Sequence, residues 1–257
     1  MGKAIARCLL EGAVEDVSLH GAIDIWDCPE LGKDMGLAAG LNEAGVEIQT
    51  DLSKIAEDAD VVIDFTSHYG TTGNALRCAE WGTAMVVGTT GLNEEEVSIL
   101  EDAASRVPIV WAPNMSLGIN LLFSLVESAA SALKGKGYDI EIIERHHRLK
   151  KDAPSGTALG LGKAAAAGYG WDLEKVRKDG RCGDEGERPD EEIGLHAVRG
   201  GDIVGDHTVL FAAEGECVEI CHRATTRDTF AVGALRAASW VVGKKPGLYS
   251  MKDVLGL

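Results

Sequence analysis

The residues best suited to chemistry lie in one stretch, residues 139–158 (DIEIIERHHRLKKDAPSGTA). Within it, residues 146–151 carry two imidazoles, two ammonium groups and a guanidinium. Ser155 then begins a predicted helix, whose free N–H groups and partial positive charge suit a carboxylate. Gly156 lets a ligand approach the backbone, and the Thr157 hydroxyl adds a donor. The stretch predicts a site for a small dianion, with an acid available to protonate it.

The adjacent pair His146 and His147 also allows simpler interpretations. Histidine pairs in loops are more often surface features than catalysts, and histidines also bind metals. The chain has no HExxH spacing and no cysteine pair near these residues, so no metal site is predicted. A functional role is favoured because charge, hydroxyl groups and a helix N-terminus converge in one short segment.

The elements that position this segment follow from its own pattern. Isoleucines and glutamates alternate over residues 139–145, which predicts a strand. Asp152, Pro154 and Ser155 indicate the start of the next helix. Strands at 193–199, 203–213 and 216–224, joined by Gly-Gly and Glu-Gly turns, predict a mainly antiparallel sheet in an α+β domain.

The N-terminal half has a different pattern, in which apolar strands alternate with helices. Strands are predicted at 17–23, 60–65, 84–88 and 108–111, and helices at 2–11, 71–81 and after the cap Asn93. This alternation predicts α/β architecture, a doubly wound parallel sheet of the dinucleotide-binding type. A last helix at 228–242 is expected to return to this domain, so the predicted domains are 1–117 with 228–257, and 118–227.

The composition of the 257 residues excludes several classes of function. A net charge of −16 argues against a nucleic-acid surface, which needs a basic face. No apolar run approaches the roughly 18 residues of a membrane span. The six cysteines are dispersed and no signal peptide is evident, so free thiols in a reducing cytoplasm are expected. The basic segment at 145–151 is a local exception to the acidity, which favours a purpose for it.

Residues 144–158 closely resemble the signature ExHHxxKxDAPSGTA of the 4-hydroxy-tetrahydrodipicolinate reductase family of bacteria and plants. Further matches follow in the family's order: VIDFT at 62–66, VGTTG at 87–91, APNMSLG at 112–118, RGGDIVGDH at 199–207 and TRDTF at 226–230. The resemblance implies an enzyme of lysine (diaminopimelate) biosynthesis, in which hydride from NAD(P)H reduces 4-hydroxy-tetrahydrodipicolinate to tetrahydrodipicolinate.

The resemblance also assigns roles to single residues. It implies that His146 and Lys150 supply and relay the proton. His147 would contact one substrate carboxylate, and Ser155, Gly156 and Thr157 the other. The cofactor residues that it implies are Asp24, Gly88, Thr89, Thr90, Ala112, Pro113, Asn114, Met115, Arg227 and Phe230. For the last two, a surface cation and a packed ring are equally good interpretations.

The coenzyme is expected to be NADH, with NADPH as an alternative. Asp24 ends a predicted strand, where an acid accepts hydrogen bonds from the ribose 2′-hydroxyl and repels a 2′-phosphate. Ile25 and Ser67 stand where NADPH-tolerant relatives often carry Arg. Neither guanidinium clamp for a phosphate is therefore present.

Two other functions compete with this interpretation. A dehydrogenase of homoserine or of amino-acid semialdehydes would lack the HHxxK and PSGT motifs, and a semialdehyde enzyme would need a cysteine near residues 145–158. A non-catalytic or impaired paralogue that binds a nucleotide or a dicarboxylate is the second alternative. It would have no need to keep Lys150.

The resemblance further implies a homotetramer, in which the sheets of residues 118–227 cover one another's open faces. A helix of the same chain is the alternative cover. The tetramer is favoured because the predicted helices at 118–133 and 155–168 can cover only one side of the sheet.

The start of the chain departs from the family pattern. The family begins with a strand and the turn GxxGRMG, of which Met1-Gly2 match only the last two residues. The sequence is therefore expected to be a form begun at an internal Met, without about 10–15 residues of strand and turn. On this expectation it binds dinucleotide weakly and is less stable than an extended form.

Overall fold

The computed structural model describes residues 1–257, which form two compact units, residues 1–117 with 228–257 and residues 118–227. None of the helices combines the length and the apolarity that a membrane crossing needs. In chain order the elements are α1 Gly2–Leu10, β1 Ala22–Ile23, α2 Met35–Ala38, β2 Ile48–Gln49, α3 Ser53–Ala56, β3 Val61–Asp64, α4 His68–Trp81, β4 Ala84–Val87, α5 Glu94–Ala104, β5 Pro108–Trp111, α6 Leu117–Leu133, β6 Asp139–His146, α7 Gly156–Tyr169, α8 Leu173–Val176, β7 Arg177–Asp179, β8 Ile193–Arg199, β9 Gly205–Ala213, β10 Glu216–Ala224, α9 Asp228–Val241, β11 Gly247–Tyr249 and α10 Met251–Leu255.

The first unit contains a parallel sheet with helices on both faces, which confirms the predicted fold class. Its four strands lie in the order β11-β5-β4-β3. All of β4 is buried, because Met85 and Val87 pack against α4 and α5, whereas Ala84 and Val86 pack against α9. Successive side chains of a strand point to opposite faces, so a fully apolar strand needs cover on both sides.

The strand predicted at 17–23 is wrong in length. Only Ala22–Ile23 forms β1, in which Ala22 pairs with Ile48 and Ile23 pairs with Gln49. β1 pairs only with β2, and β3 only with β4, so each strand has an open edge. A groove of about 680 Å³ contacts both strands and is lined by apolar side chains of α1, β1, β3 and α9.

The second unit contains a five-stranded sheet in the order β10-β9-β6-β8-β7, with β6 at its centre. β6 and β10 are antiparallel to β9, but β8 is parallel to both β6 and β7. The sheet is thus mixed rather than mainly antiparallel. The prediction overlooked that residues 147–192, which include α7 and α8, are long enough for a crossover between parallel strands.

β6 positions two residues of the candidate site because its side chains alternate between buried and less buried positions. Ile140 and Ile142 pack against α6 and α7 in the core of this unit. Glu144 and His146 follow on the same buried face. The strand and the helix predicted on either side of the basic segment are both confirmed. Two ionisable side chains at the end of β6 are therefore buried.

Candidate active site

The carboxylate of Glu144 is the centre of the site in the second unit. It is fully buried, and its Oε2 lies 2.5 Å from Nδ1 of His146. Arg199 donates to both carboxylate oxygens, with each distance 2.7 Å. Oε1 also accepts the backbone N–H of Ser155 at 3.0 Å. One side chain therefore joins β6, β8 and the N-terminus of α7.

These partners keep Glu144 ionised. Burial alone would raise its pKa, but hydrogen bonds from His146 and Arg199 outweigh burial and lower the pKa to about 2. The carboxylate therefore holds the proton-bearing Nδ1 of His146, which leaves Nε2 as the nitrogen that can give or take a proton. His146 is only 9% exposed, so a proton carried there is largely shielded from water.

A second imidazole, that of His207, lies beside His146. The two ring centroids are 5.2 Å apart, with the rings edge to face. Burial, and then the nearby His146, lowers the pKa of His207 to about 3, so this ring stays neutral near pH 7. Its Nε2 lies 3.3 Å from the Ser155 hydroxyl. His207 thus forms an uncharged wall of the site.

The N-terminus of α7 has the predicted form. The Ser155 hydroxyl is the N-cap and accepts the N–H of Ala158 at 3.1 Å. Because Ser155 is buried and its hydroxyl caps the helix, this side chain is not exposed for contact with a ligand. Gly156 is exposed, with open space where a side chain would be, and Thr157 is half-buried. Their N–H groups suit an approaching carboxylate.

Two basic residues predicted for the site have their own partners. Lys150 donates to Asp152 at 2.8 Å and forms no hydrogen bond with His146. Nε2 of His147 lies 3.4 Å from Nη2 of Arg227. A residue predicted for substrate binding and one predicted for cofactor binding thus lie side by side in the second unit.

The residues predicted for the cofactor in the first unit follow the ends of adjacent parallel strands. Gly88 and Ala112 stand just after the ends of β4 and β5. Loops at the carboxyl edge of such a sheet are where nucleotides bind. A Cβ on Gly88 would lie 2.2 Å from the ring of Phe65, so only glycine lets the chain pass there. The backbone at Gly88 therefore packs directly against the Phe65 ring.

A buried carboxylate, Asp64, holds these loops. It accepts the hydroxyls of Thr66 at 2.8 Å, Thr71 at 3.0 Å and Thr89 at 3.2 Å, and the amide of Asn74 at 2.8 Å. The Thr89 side chain therefore serves the loop, whereas Thr90 is exposed.

The other predicted cofactor residues differ in exposure. Ala112 and Met115 are buried and Pro113 is exposed, while Asn114 accepts the N–H of Ser116 at 2.9 Å. Asp24 is exposed after β1, with Oδ1 2.8 Å from the N–H of Ile25. Phe230 is half-buried in α9. The buried members can contribute backbone but little side-chain surface.

Four functional candidates were missed in the sequence: Asp64, Glu144, Arg199 and His207. The sequence does point to both acids, because each stands at a strand position that alternation or apolarity predicts to be buried. An acid at such a position needs partners and is therefore a candidate for function. Arg199 and His207 stood inside a quoted motif, but only strand pairing brings them to Glu144.

Models of a known protein family match both halves of the chain. The family model described as "Dihydrodipicolinate reductase, N-terminus" matches residues 1–115, and the model described as "Dihydrodipicolinate reductase, C-terminus" matches residues 118–255. The 4-hydroxy-tetrahydrodipicolinate reductase of Anaeromyxobacter dehalogenans (strain 2CP-1) is 49% identical over 100% of this chain and 94% of its own length. That of Thiobacillus denitrificans is 51% identical over 98% of this chain and 95% of its own length.

A solved structure shows the same fold at lower identity. The dipicolinate-bound dihydrodipicolinate reductase from Paenisporosarcina sp. TG-14 is 25% identical, with a TM-score of 0.74, over 98% of this chain and 95% of that chain. An amine dehydrogenase from Mycobacterium smegmatis shares the fold, with 13% identity and a TM-score of 0.61 over 98% of this chain and 92% of that chain. The chain belongs to the dihydrodipicolinate reductase family. Membership of this family of oxidoreductases implies a nicotinamide cofactor.

Proposed function

We propose that this chain reduces 4-hydroxy-tetrahydrodipicolinate to tetrahydrodipicolinate in lysine biosynthesis, with NADH as its preferred coenzyme. The observation that supports it most is the buried Glu144–His146 pair, placed at the helix N-terminus that begins with Gly156. An ionised carboxylate, an imidazole and the backbone N–H groups of a helix N-terminus together suit the protonation of a bound dianion.

Each residue then has a chemical task. His146 donates its Nε2 proton to the substrate, and Glu144 stabilises the imidazolium before and during that transfer. Gly156-Thr157 and His147 hold the two carboxylates, since a rigid ring with two anions needs two anchors. Lys150 supplies positive charge beside them and is itself held by Asp152. The nicotinamide, when bound, would supply the hydride, and the substrate loses its 4-hydroxyl group as water.

The first unit would hold the coenzyme through the loops that follow β3, β4 and β5. Asp24 favours the free 2′-hydroxyl of NADH over the phosphate of NADPH. Comparing kcat/KM for the two coenzymes tests this preference. In Asp24→Ser the ratio of kcat/KM for NADH to kcat/KM for NADPH should be smaller than in the wild type. A kcat/KM for NADPH well above that for NADH in the wild type would refute the preference.

The second unit would hold substrate and provide the subunit contacts of a homotetramer. Its sheet packs α6 and α7 on one face, whereas Val198, which pairs with Arg145 on the opposite face, remains 44% exposed. Sedimentation equilibrium at several concentrations tests the tetramer, and a monomer at all of them would refute it.

The reaction itself is tested with the coupled assay that generates the unstable substrate and follows NADH oxidation. His146→Gln should lower kcat by about 10²–10⁴, the usual contribution of a positioned acid. His20→Gln, an exposed histidine in the first unit, is the control and should leave kcat unchanged. Near-normal turnover of His146→Gln would end the assignment.

A further inference from the structure

The imidazole of His146 lies across a glycine of the neighbouring strand. β6 and β9 pair so that Glu144 faces His207 and Arg145 faces Asp206. One step further, the same antiparallel register puts His146 opposite Gly205, the first residue of β9. A side chain at position 205 would therefore point to the same face of the sheet as the imidazole.

The space above Gly205 is filled by this imidazole. A Cβ built on Gly205 lies 3.1 Å from Nε2 and 3.4 Å from Cδ2 of His146, and 3.7 Å from Cε1 of His207. The first contact is shorter than an ordinary van der Waals contact, so the ring would have to move. Gly205 does not have a positive φ, so its backbone conformation is open to other residues. The glycine is needed for space and not for its conformational freedom.

The ring has little room to move elsewhere. Its Nδ1 is held 2.5 Å from Glu144, and His207 lies edge to face beside it. Glu144 is in turn fixed by Arg199 and by the N–H of Ser155. Any shift of the ring away from β9 therefore stretches the bond to Glu144 or displaces Nε2.

We propose that Gly205 is a positioning residue, whose missing side chain lets the His146 imidazole lie over β9 with Nδ1 on Glu144 and Nε2 left for the substrate. This rests on the proposed function in one respect, the assignment of His146 as the acid. The packing that it describes is independent of the reaction and can be measured without it.

Packing is tested by thermal unfolding of Gly205→Ala in the wild type and in the His146→Ala background. The added methyl should lower Tm in the wild type and leave it unchanged or higher in His146→Ala, where the imidazole is gone. Gly247→Ala is the matched control, since it is a strand glycine whose added Cβ would make an ordinary contact of 3.5 Å with Tyr249. An equal change of Tm in both backgrounds would overturn the proposal.

Positioning is tested by the His146 Nδ1 proton and by turnover. The downfield NMR signal of a proton shared with a carboxylate, assigned by its loss in His146→Gln, should shift in Gly205→Ala and stay in Gly247→Ala. Turnover should fall roughly tenfold, less than the 10² that a 1 Å misplacement can cost, with KM for NADH unchanged. An unshifted signal together with normal kcat would refute the role of Gly205. Absence of reductase activity in the wild type would count against the proposed function alone, since the NMR and Tm results still decide this one.

Discussion

Each unit contains a buried carboxylate at the end of a strand, and the two differ in what they bind. Asp64, 2% exposed at the end of β3, accepts only from hydroxyl, amide and backbone donors. Glu144, fully buried near the end of β6, accepts from a guanidinium and an imidazole as well as from a backbone N–H. The two carboxylates thus have different uses.

The partners explain the difference. Neutral donors around Asp64 tie β3, α4 and the loop after β4 together and offer no proton to a ligand. The network can only shape a surface, here the strand ends proposed to hold the coenzyme. Glu144 instead holds an imidazole, a side chain that can give and take a proton, so its network can take part in a reaction. A buried acid paired with an imidazole is the better indicator of chemistry.

The largest effect is expected for Glu144→Gln. The amide leaves Arg199 without its charge partner, and breaking a buried ion pair in this way costs about 3–5 kcal/mol of stability. Turnover should also fall by at least about 10²-fold, because His146 loses its anchor. Chemical denaturation and the coupled assay measure the two effects. Unchanged affinity for NADH by fluorescence titration would show that the first unit is untouched, and a selective loss of that affinity would contradict the comparison.

A smaller effect with the opposite pattern is expected for Asp64→Asn. The amide keeps an acceptor for the threonines but turns an N–H₂ group towards Asn74, which costs about 1–3 kcal/mol for the buried mismatch. The loop that contains Thr89 should shift, so KM for NADH should rise more than kcat falls. If Asp64→Asn lowered kcat as much as Glu144→Gln does, the two carboxylates would not have separate tasks.

The last effect concerns the response of stability to acid. The pKa of His207 is about 3 in the folded chain and 6.5 ordinarily, so the unfolded state binds a proton first and stability falls between pH 6.5 and 3. The pKa of Glu144 is lowered from 4.5 to about 2, which adds a further loss of stability between those two pH values. Urea unfolding at a series of pH values measures this decline in stability. In His207→Asn only the upper part of the decline should become shallower. An unaltered slope of stability against pH above pH 4.5 would show that His207 does not cause the decline there.

Much of this was predictable where the determinants are close in sequence. The strand, basic segment and helix of residues 139–158 depend on local alternation and on the cap Ser155. The helix after Asn93 likewise begins with a capping box, in which Asn93 and Glu96 bind each other's backbone. The parallel pairing of β6 with β8 depends on partners about 50 residues apart, and only the length of the connection between them pointed to it.

The site was predictable in position but less so in the use of each side chain. Ser155 and Thr89 stand where the motifs place them, yet their hydroxyls serve a helix cap and the Asp64 network. A motif fixes the residue and its place in the chain, whereas the direction of a short side chain depends on neighbours that are distant in sequence. Arg199 reaches Glu144 only because β8 pairs with β6, and no local pattern shows that pairing.

The open edges of β1 and β3 have a consequence for handling the protein. Free backbone N–H and C=O groups beside an apolar groove form a template onto which an extended chain can add, and a partly unfolded second copy supplies one. The net charge of −16 opposes such encounters, and salt weakens that repulsion. Concentrated stocks in high salt should therefore lose material to self-association that begins at these two strands, while the mixed sheet remains folded.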